Sequence, residues 1–424
     1  MLGRGGRKQR RLGRREILIF LTVLGPGLIT AMVDNDAGGI ATYSVAGARF
    51  GYELLWVLTF TAILLSLVQE MTVRMGMVTG KGLAALIRER FSLRLTAFIM
   101  FTLLVTNFAN TLSNFAGLAA SMQLFHVPPW IAVPPLAVLI WWLVVRGTYK
   151  RVEMVFLIAS LVYISYIVSA FMAHPQWGEV GKALVTPSPH FDAAYLALTV
   201  TIIGTTIAPW MQFYQQAAIV DKGLDSSKIR YERVDTVVGS LLMTVVAMFI
   251  VICCSAAFYN NPQVGATTIT TAEQAASALA PVAGNNASYL FGFGLLVASL
   301  FAGSILPLST AYTVCEAFGW ESGIDRSYRE APRFYFIYTF FIAGSALLVM
   351  IPGMPLVLLM LVSQTMNGIL LPVILFCMLT LINDRDIMGA YVNPPLLNGV
   401  MWGVTALLTL LTLIMIASTI FPSG

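Results

Sequence analysis

The chain has 424 residues, of which 58% are hydrophobic and only 11% charged, with a formal net charge of +5 and a mean hydropathy of +0.81. Soluble domains carry about 25% charged residues. A water-soluble enzyme, a disordered chain, a collagen and a disulfide scaffold are therefore excluded, and an all-α integral membrane protein remains.

At about 20 apolar residues per span, eleven segments can be read along the chain: 17–48, 52–78, 95–124, 129–146, 152–173, 193–220, 234–258, 287–316, 334–352, 354–382 and 396–421. Ahead of them lies a basic arm, residues 1–16, with Arg4, Arg7, Lys8, Arg10, Arg11, Arg14 and Arg15. The first segment is too long for a cleaved signal peptide and lacks a small-residue cleavage site. With the N-terminus placed in the cytoplasm, every one of the 25 lysines and arginines except Arg49 and Lys182 falls on the cytoplasmic side. The arm thus reads as a topology label against anionic lipid. Nucleic-acid binding is not expected, because no supporting fold or aromatic interleaving accompanies the charge.

Segment 1, GPGLITAMVDNDAGGIATYSVAGARF, carries helix breakers from Asp34 to Gly39. In segment 2, Glu70 and Arg74 are spaced for an i,i+4 ion pair. Segment 3 holds Asn107, Asn110, Ser113 and Asn114, too polar for lipid, and should face the bundle interior. Segment 6, TVTIIGTTIAPWMQFYQQAAIV, is interrupted from Gly204 to Pro209. The four cysteines, Cys253, Cys254, Cys315 and Cys377, lack metal-ligand spacing and read as buried thiols. Connections 174–192 and 259–286 read as polar loops.

Unwound backbone at membrane depth survives only inside protein or along a wet cavity. The two breaks are five helices apart, which points to a five-plus-five inverted repeat with its site at the midplane. The repeats span about 17–173 and about 193–382, with an extra helix at about 396–421, all in one domain over 17–421. Neither break contains a lysine, arginine or histidine, and His126, His174 and His190 fall in outside loops. The partner of a mid-membrane carboxylate is then a cation from solution. Carboxylate, carbonyl and hydroxyl oxygens suit sodium, magnesium, calcium or manganese.

Several ordered motifs carry a family resemblance. Segment 1 has Gly25, Pro26 and an AGAR run at Ala46–Arg49; GMVTGKGLAAL covers 76–86; Ala208, Pro209 and Trp210 follow the second break; LVSQTMNGILLP carries Gln364; and NDRDIMGAYVN covers 383–393. Over about 16–421 the chain resembles the NRAMP family of divalent-metal transporters. That resemblance implies a LeuT-like fold with discontinuous helices 1 and 6, and no enzymatic activity or resident cofactor. It also implies a metal substrate held between the two breaks. The family's aspartate is kept as Asp36; its asparagine falls on Gly39, its methionine on Ala208 and its ligating carbonyl on Thr205. Gln364 matches a glutamine that can ligate in one state or simply hydrogen-bond between helices, and Asp34 is a further candidate acting through water.

Loss of a soft thioether removes the preference for softer metals. Loss of the asparagine and methionine side chains is expected to open room for water. A partly hydrated Mg2+ suits such a site, and the departures resemble the NRAMP-related magnesium transporter branch, with Mn2+ also passing. The family's segment 6 histidines fall on Trp210 and Gln215, expected to line the pathway, and Asn110 and Ser113 stand near its segment 3 acids, so proton coupling is not expected. The alternatives are a proton-coupled Mn2+/Fe2+ carrier and a sodium-coupled solute transporter. The bilayer and the metal are the expected partners; oligomeric state stays open, and a monomer is compatible with the sequence.

Overall fold

The computed structural model describes residues 30–31, 33–146, 160–190, 192–224, 226–261, 267, 269–280, 284–324 and 326–420. The basic arm expected at 1–16 and the start of segment 1 lie outside the described residues. Among those described there is no strand. The helices of eight residues or more are α1 (Ala37–Phe50), α2 (Leu55–Thr79), α3 (Leu83–Arg90), α4 (Leu93–Leu124), α5 (Pro129–Val145), α6 (Ile164–Met172) and α7 (Trp177–Val185). The second half of the chain forms α8 (Ala193–Thr206), α9 (Pro209–Asp221), α10 (Ile229–Cys254), α11 (Ala287–Phe318), α12 (Pro332–Val349), α13 (Leu356–Ile382) and α14 (Pro395–Ile420).

Among the described residues, eight helical stretches are long and apolar enough to cross a membrane, with α8 and α9 together forming one of them. Adding α1, α5 and α6 accounts for the eleven segments read from the sequence. Local chemistry sets the ends. Asp192 caps α8 by accepting from the Ala194 and Tyr195 amides at 3.1 and 3.0 Å. Gly80 and Gly319 close α2 and α11 in the left-handed conformation, φ 63° and 68°. Two helices were hidden in connections. The amphipathic α3 buries Leu83, Ala84, Leu86 and Ile87 and exposes its charged end, while α7 occupies part of the 174–192 connection read as a polar loop.

α4 packs along α11 and α13, and α8 lies against α13. Small residues permit this closeness: a Cβ on Gly204 would overlap the Gly368 backbone, and one on Gly117 would overlap Ala37 and Ser299. The polar face of α4 turns inward as expected, with Asn107, Asn110, Ser113 and Asn114 all buried. The Glu70–Arg74 pair forms at 3.1 Å and extends to Arg233 at 2.6 Å. Arg74 also donates to the carbonyls of Tyr391 (2.9 Å) and Val392 (3.3 Å) and to Asn393 Oδ1 (2.5 Å). All four cysteines are free and buried.

Candidate metal centre

The first break is narrower than the sequence suggested. Helical backbone at 33–34 stops, Asn35 and Asp36 bend, and α1 begins at Ala37. Asp36 makes the break by capping: its Oδ1 accepts from the Gly39 amide at 2.7 Å. In a continuous helix that amide would serve the Asn35 carbonyl, which instead accepts from the Tyr163 hydroxyl at 2.8 Å. Gly38 and Gly39 are therefore helical rather than unwound. Neither has a positive φ among the described residues, so their role is spatial: a Cβ on Gly38 would overlap the Gln364 amide.

The second break follows from one missing donor. Continuing α8 would bring the Thr205 carbonyl opposite the amide of residue 209, but Pro209 has none. The last turn closes with Ile207 N–H donating to the Ile203 carbonyl at 2.9 Å. Ala208 then turns to extended geometry, φ −65° and ψ 133°, and α9 starts at Pro209. Tyr43 on α1 meets the Thr206 hydroxyl at 3.1 Å, fastening the two broken helices together.

The two breaks meet at Gly39. A Cβ there would lie 2.9 Å from the Asp34 carbonyl oxygen, 3.4 Å from Thr205 Cγ2 and 3.5 Å from Asp36 Oδ1. Thus Asp34, Asp36, Gly39 and Thr205 share one spot. Gln364 joins them, its Nε2 donating to Asp36 Oδ1 at 3.3 Å. In this structure it is an interhelical hydrogen-bond partner of the carboxylate. Ala208 is buried one step beyond; Gln212, with its amide turned so that neither atom faces a like group, donates to the Ala208 and Pro209 carbonyls at 2.8 and 2.7 Å. Trp210 and Gln215 are buried on α9, and Gln215 pairs with Thr236 at 3.1 Å.

A chain of amides surrounds the carboxylate. Asn114 Nδ2 donates to Asp36 Oδ2 at 2.8 Å, and its Oδ1 accepts from the Ala37 amide at 3.3 Å. Asn110 and Asn367 exchange hydrogen bonds at 2.8 and 3.1 Å, and Asn367 also donates to Gln364 Oε1 at 2.9 Å. The polarity of segment 3 signalled Asn110 and Asn114, whereas Asn367, three residues after Gln364, was missed. Asp34 is 3% exposed, and its Oδ2 has no hydrogen-bond partner. Helix C-termini at Asp34 and at Thr205–Thr206 bring the negative ends of two half-helices to the breaks, favouring a cation.

One expectation changes. Losing the asparagine side chain at position 39 does not simply leave a hole, because the Asp34 carbonyl stands against the place where its Cβ would be. Among the described residues there is also no group of three or more histidine, cysteine or carboxylate side chains set to hold a metal. Two carboxylates, Asp36 and Asp34, with neutral oxygens are what the breaks provide.

Residues 27–418 match the family model described as natural resistance-associated macrophage protein-like. The chain belongs to the Nramp family of divalent metal transporters. A metal in an Nramp protein is cargo rather than a cofactor, and the family is one of transporters, not enzymes. The chain is similar to the divalent metal cation transporter MntH of Deinococcus radiodurans, 27% identical over 93% of this chain and 89% of that one. In fold it is similar to a manganese transporter of Eremococcus coleocola, solved with an aromatic bis-isothiourea compound: TM-score 0.75, 23% identity, 97% and 90% of the two chains. It is more distantly similar to MHP1, a nucleobase-cation-symport-1 family transporter, with TM-score 0.55, 14% identity and 92% and 90% coverage. The inverted-repeat architecture with two broken helices is therefore an Nramp fold on the broader LeuT-like plan.

Proposed function

We propose that this Nramp protein imports Mg2+, and Mn2+ with it, by alternating access, with the ion partly hydrated between the two breaks. The carrying observation is the donor set. Asp36 is the carboxylate, the Thr205 and Asp34 carbonyls are the main-chain oxygens, and Asp34 Oδ2 is a buried acceptor left without a protein partner. By the family resemblance Ala208 stands where a soft methionine thioether would be, so every donor in the set is hard oxygen. Mg2+ sheds water reluctantly and settles for one or two carboxylates. An unpartnered carboxylate oxygen beside the break can accept from its retained waters. Manganese, named for the Eremococcus coleocola neighbour, has similar hard-ligand chemistry and passes too.

Proton coupling is not part of this reading. The side chains hydrogen-bonded to Asp36 (Asn114 and Gln364) and the Asn110–Asn367 pair that Gln364 joins are amides, and amides do not titrate. Voltage is sufficient. Two charges moving through 100 mV gain about 4.6 kcal/mol, which sustains roughly a thousandfold accumulation at ~1.4 kcal/mol per tenfold. The basic side faces the cytoplasm of a cell membrane in this reading, with the N-terminus inside. Repeat one then spans about 17–173 and repeat two about 193–382.

The test is ion uptake into liposomes carrying a pH dye, with Mg2+, Mn2+ and Cd2+ in parallel. Mg2+ and Mn2+ uptake without internal acidification is expected, with both abolished by Asp36→Ala. Acidification tracking Mn2+ entry would instead establish the proton-coupled carrier.

A further inference from the structure

α2 and α9 run toward the basic side of the bundle and α10 runs back from it. Where they meet, Val73, Met77 and Ile219 form a small apolar cluster, with Leu224 and Ile229 packed on it. One helical turn further inside, the same faces carry Gln69, four residues before Val73, Gln215, four before Ile219, and Glu232, three after Ile229. This is the i, i+3, i+4 stacking of one helix face, so each side chain lies one turn above the plug on its own helix. The Glu70–Arg233 pair at 2.6 Å and the Gln215–Thr236 bond at 3.1 Å bring these turns of α2, α9 and α10 into one layer.

That layer is polar, buried and unsatisfied. Glu232 is 0% exposed, and neither carboxylate oxygen has a hydrogen-bond partner. Gln69 is buried with both amide atoms unpartnered, and Gln215 lacks a partner for Oε1. Its Nε2 is anchored on Thr236, one turn after Glu232. The cations that could neutralise Glu232 are committed or distant: Arg233 binds Glu70 at 2.6 Å, Arg74 binds Glu70 at 3.1 Å, and Lys222 acts only through space. Asp235 adds a second buried carboxyl nearby. α9 and α10 each pack on α2 rather than closely on each other, which leaves the layer at a three-helix seam.

Buried charges persist when they are paired or coordinate a cation, and these donors are all hard oxygens. From these observations we infer a second divalent-cation site, formed by Glu232 with Gln215 and Gln69. It is a transit station for the ion leaving Asp36. α9 leads to it directly: seven residues separate Ala208 from Gln215, about 10 Å along the helix. The apolar plug at Val73, Met77 and Ile219 closes the seam toward the basic side. This inference rests on the reading that the chain carries a divalent cation past Asp36.

The experiment counts bound Mn2+ by electron paramagnetic resonance on the purified full chain, with Mg2+ as competitor. Wild type is expected to hold two ions, Asp36→Asn one, Glu232→Gln one and the double variant none. Gln69→Met leaves every charge in place and is expected to weaken the second site about tenfold while sparing the first, which covers the case where Glu232→Gln does not fold. Two ions still bound by Glu232→Gln, or none bound by Asp36→Asn, would overturn the second site. If wild type binds no divalent ion, the transport reading fails with it; a single ion lost on Asp36→Asn removes only the second site.

Discussion

Gly39→Ala sets two physical effects against each other with known signs. In a helix, alanine is favoured over glycine by about 1 kcal/mol, and Gly39 lies in the first turn of α1. Its added Cβ, however, would come 2.9 Å from the Asp34 carbonyl oxygen and 3.4 Å from Thr205 Cγ2. The nearer atom is backbone and cannot rotate away, and overpacking of this kind costs about 1–3 kcal/mol. The balance is destabilisation of about 1 kcal/mol, with a range of roughly 0–2. Gly403→Ala in the middle of α14 is the matched control, because nothing lies within 4 Å of its added Cβ. It should stabilise by up to about 1 kcal/mol. Both are measured as unfolding in detergent with chelator present, so that metal binding adds nothing. If Gly39→Ala stabilised the protein as much as Gly403→Ala, the Asp34 carbonyl could not be where the structure places it. The functional corollary is that Gly39→Asn combined with Ala208→Met loses Mg2+ uptake without gaining Cd2+ uptake.

Gly204→Ala drives a Cβ into the Gly368 backbone where α8 crosses α13. It should cost about 3 kcal/mol and show as lost monodisperse yield in size-exclusion chromatography. Arg74→Met strands Glu70 with Arg233 alone and frees the Tyr391 and Val392 carbonyls and Asn393; about 3 kcal/mol of stability is lost, and limited proteolysis should speed up within 383–394. An unchanged cleavage rate would mean that Arg74 does not hold that connection.

How much of this was legible follows from the range of each interaction. The spans could be read because apolar runs of about 20 residues have one solution in a bilayer. The second break could be read because Pro209 removes a specific donor, and the Glu70–Arg74 pair because both residues lie on one helix face. Asn114 and Gln364 were named as an interior residue and a site candidate, but their direct hydrogen bonds to Asp36 were illegible: Asn114 is 78 residues away and Gln364 is 328 away. Only the packing of α1, α4 and α13 decides that their amides converge. The short α3 was missed for a different reason, since its apolar positions are too few to stand out beside the spans and are buried mainly against α11 and α9, which are distant in sequence.

The glycines of the first break show where local reasoning misassigned a cause. Gly38 and Gly39 looked like residues that loosen backbone, yet the loosening is done by the Asp36 side chain, which takes the Gly39 amide away from the Asn35 carbonyl. What the glycines supply is clearance, for the Gln364 amide over one and the Asp34 carbonyl over the other. Ion preference at this centre is then a property of the shape of the break as well as of its donors. A side-chain ligand cannot be restored at position 39 without first moving the Asp34 peptide, and that peptide is held by its neighbour Asn35, whose carbonyl is bound to Tyr163 at 2.8 Å. Tyr163→Phe should therefore loosen the break while keeping every metal-facing oxygen. Its signature is weaker Mg2+ affinity with Mg2+ still preferred over Cd2+, measured as competition for Mn2+ uptake. A gain of Cd2+ uptake in Tyr163→Phe alone would show that the hydrogen bond, rather than the donor set, enforces the preference.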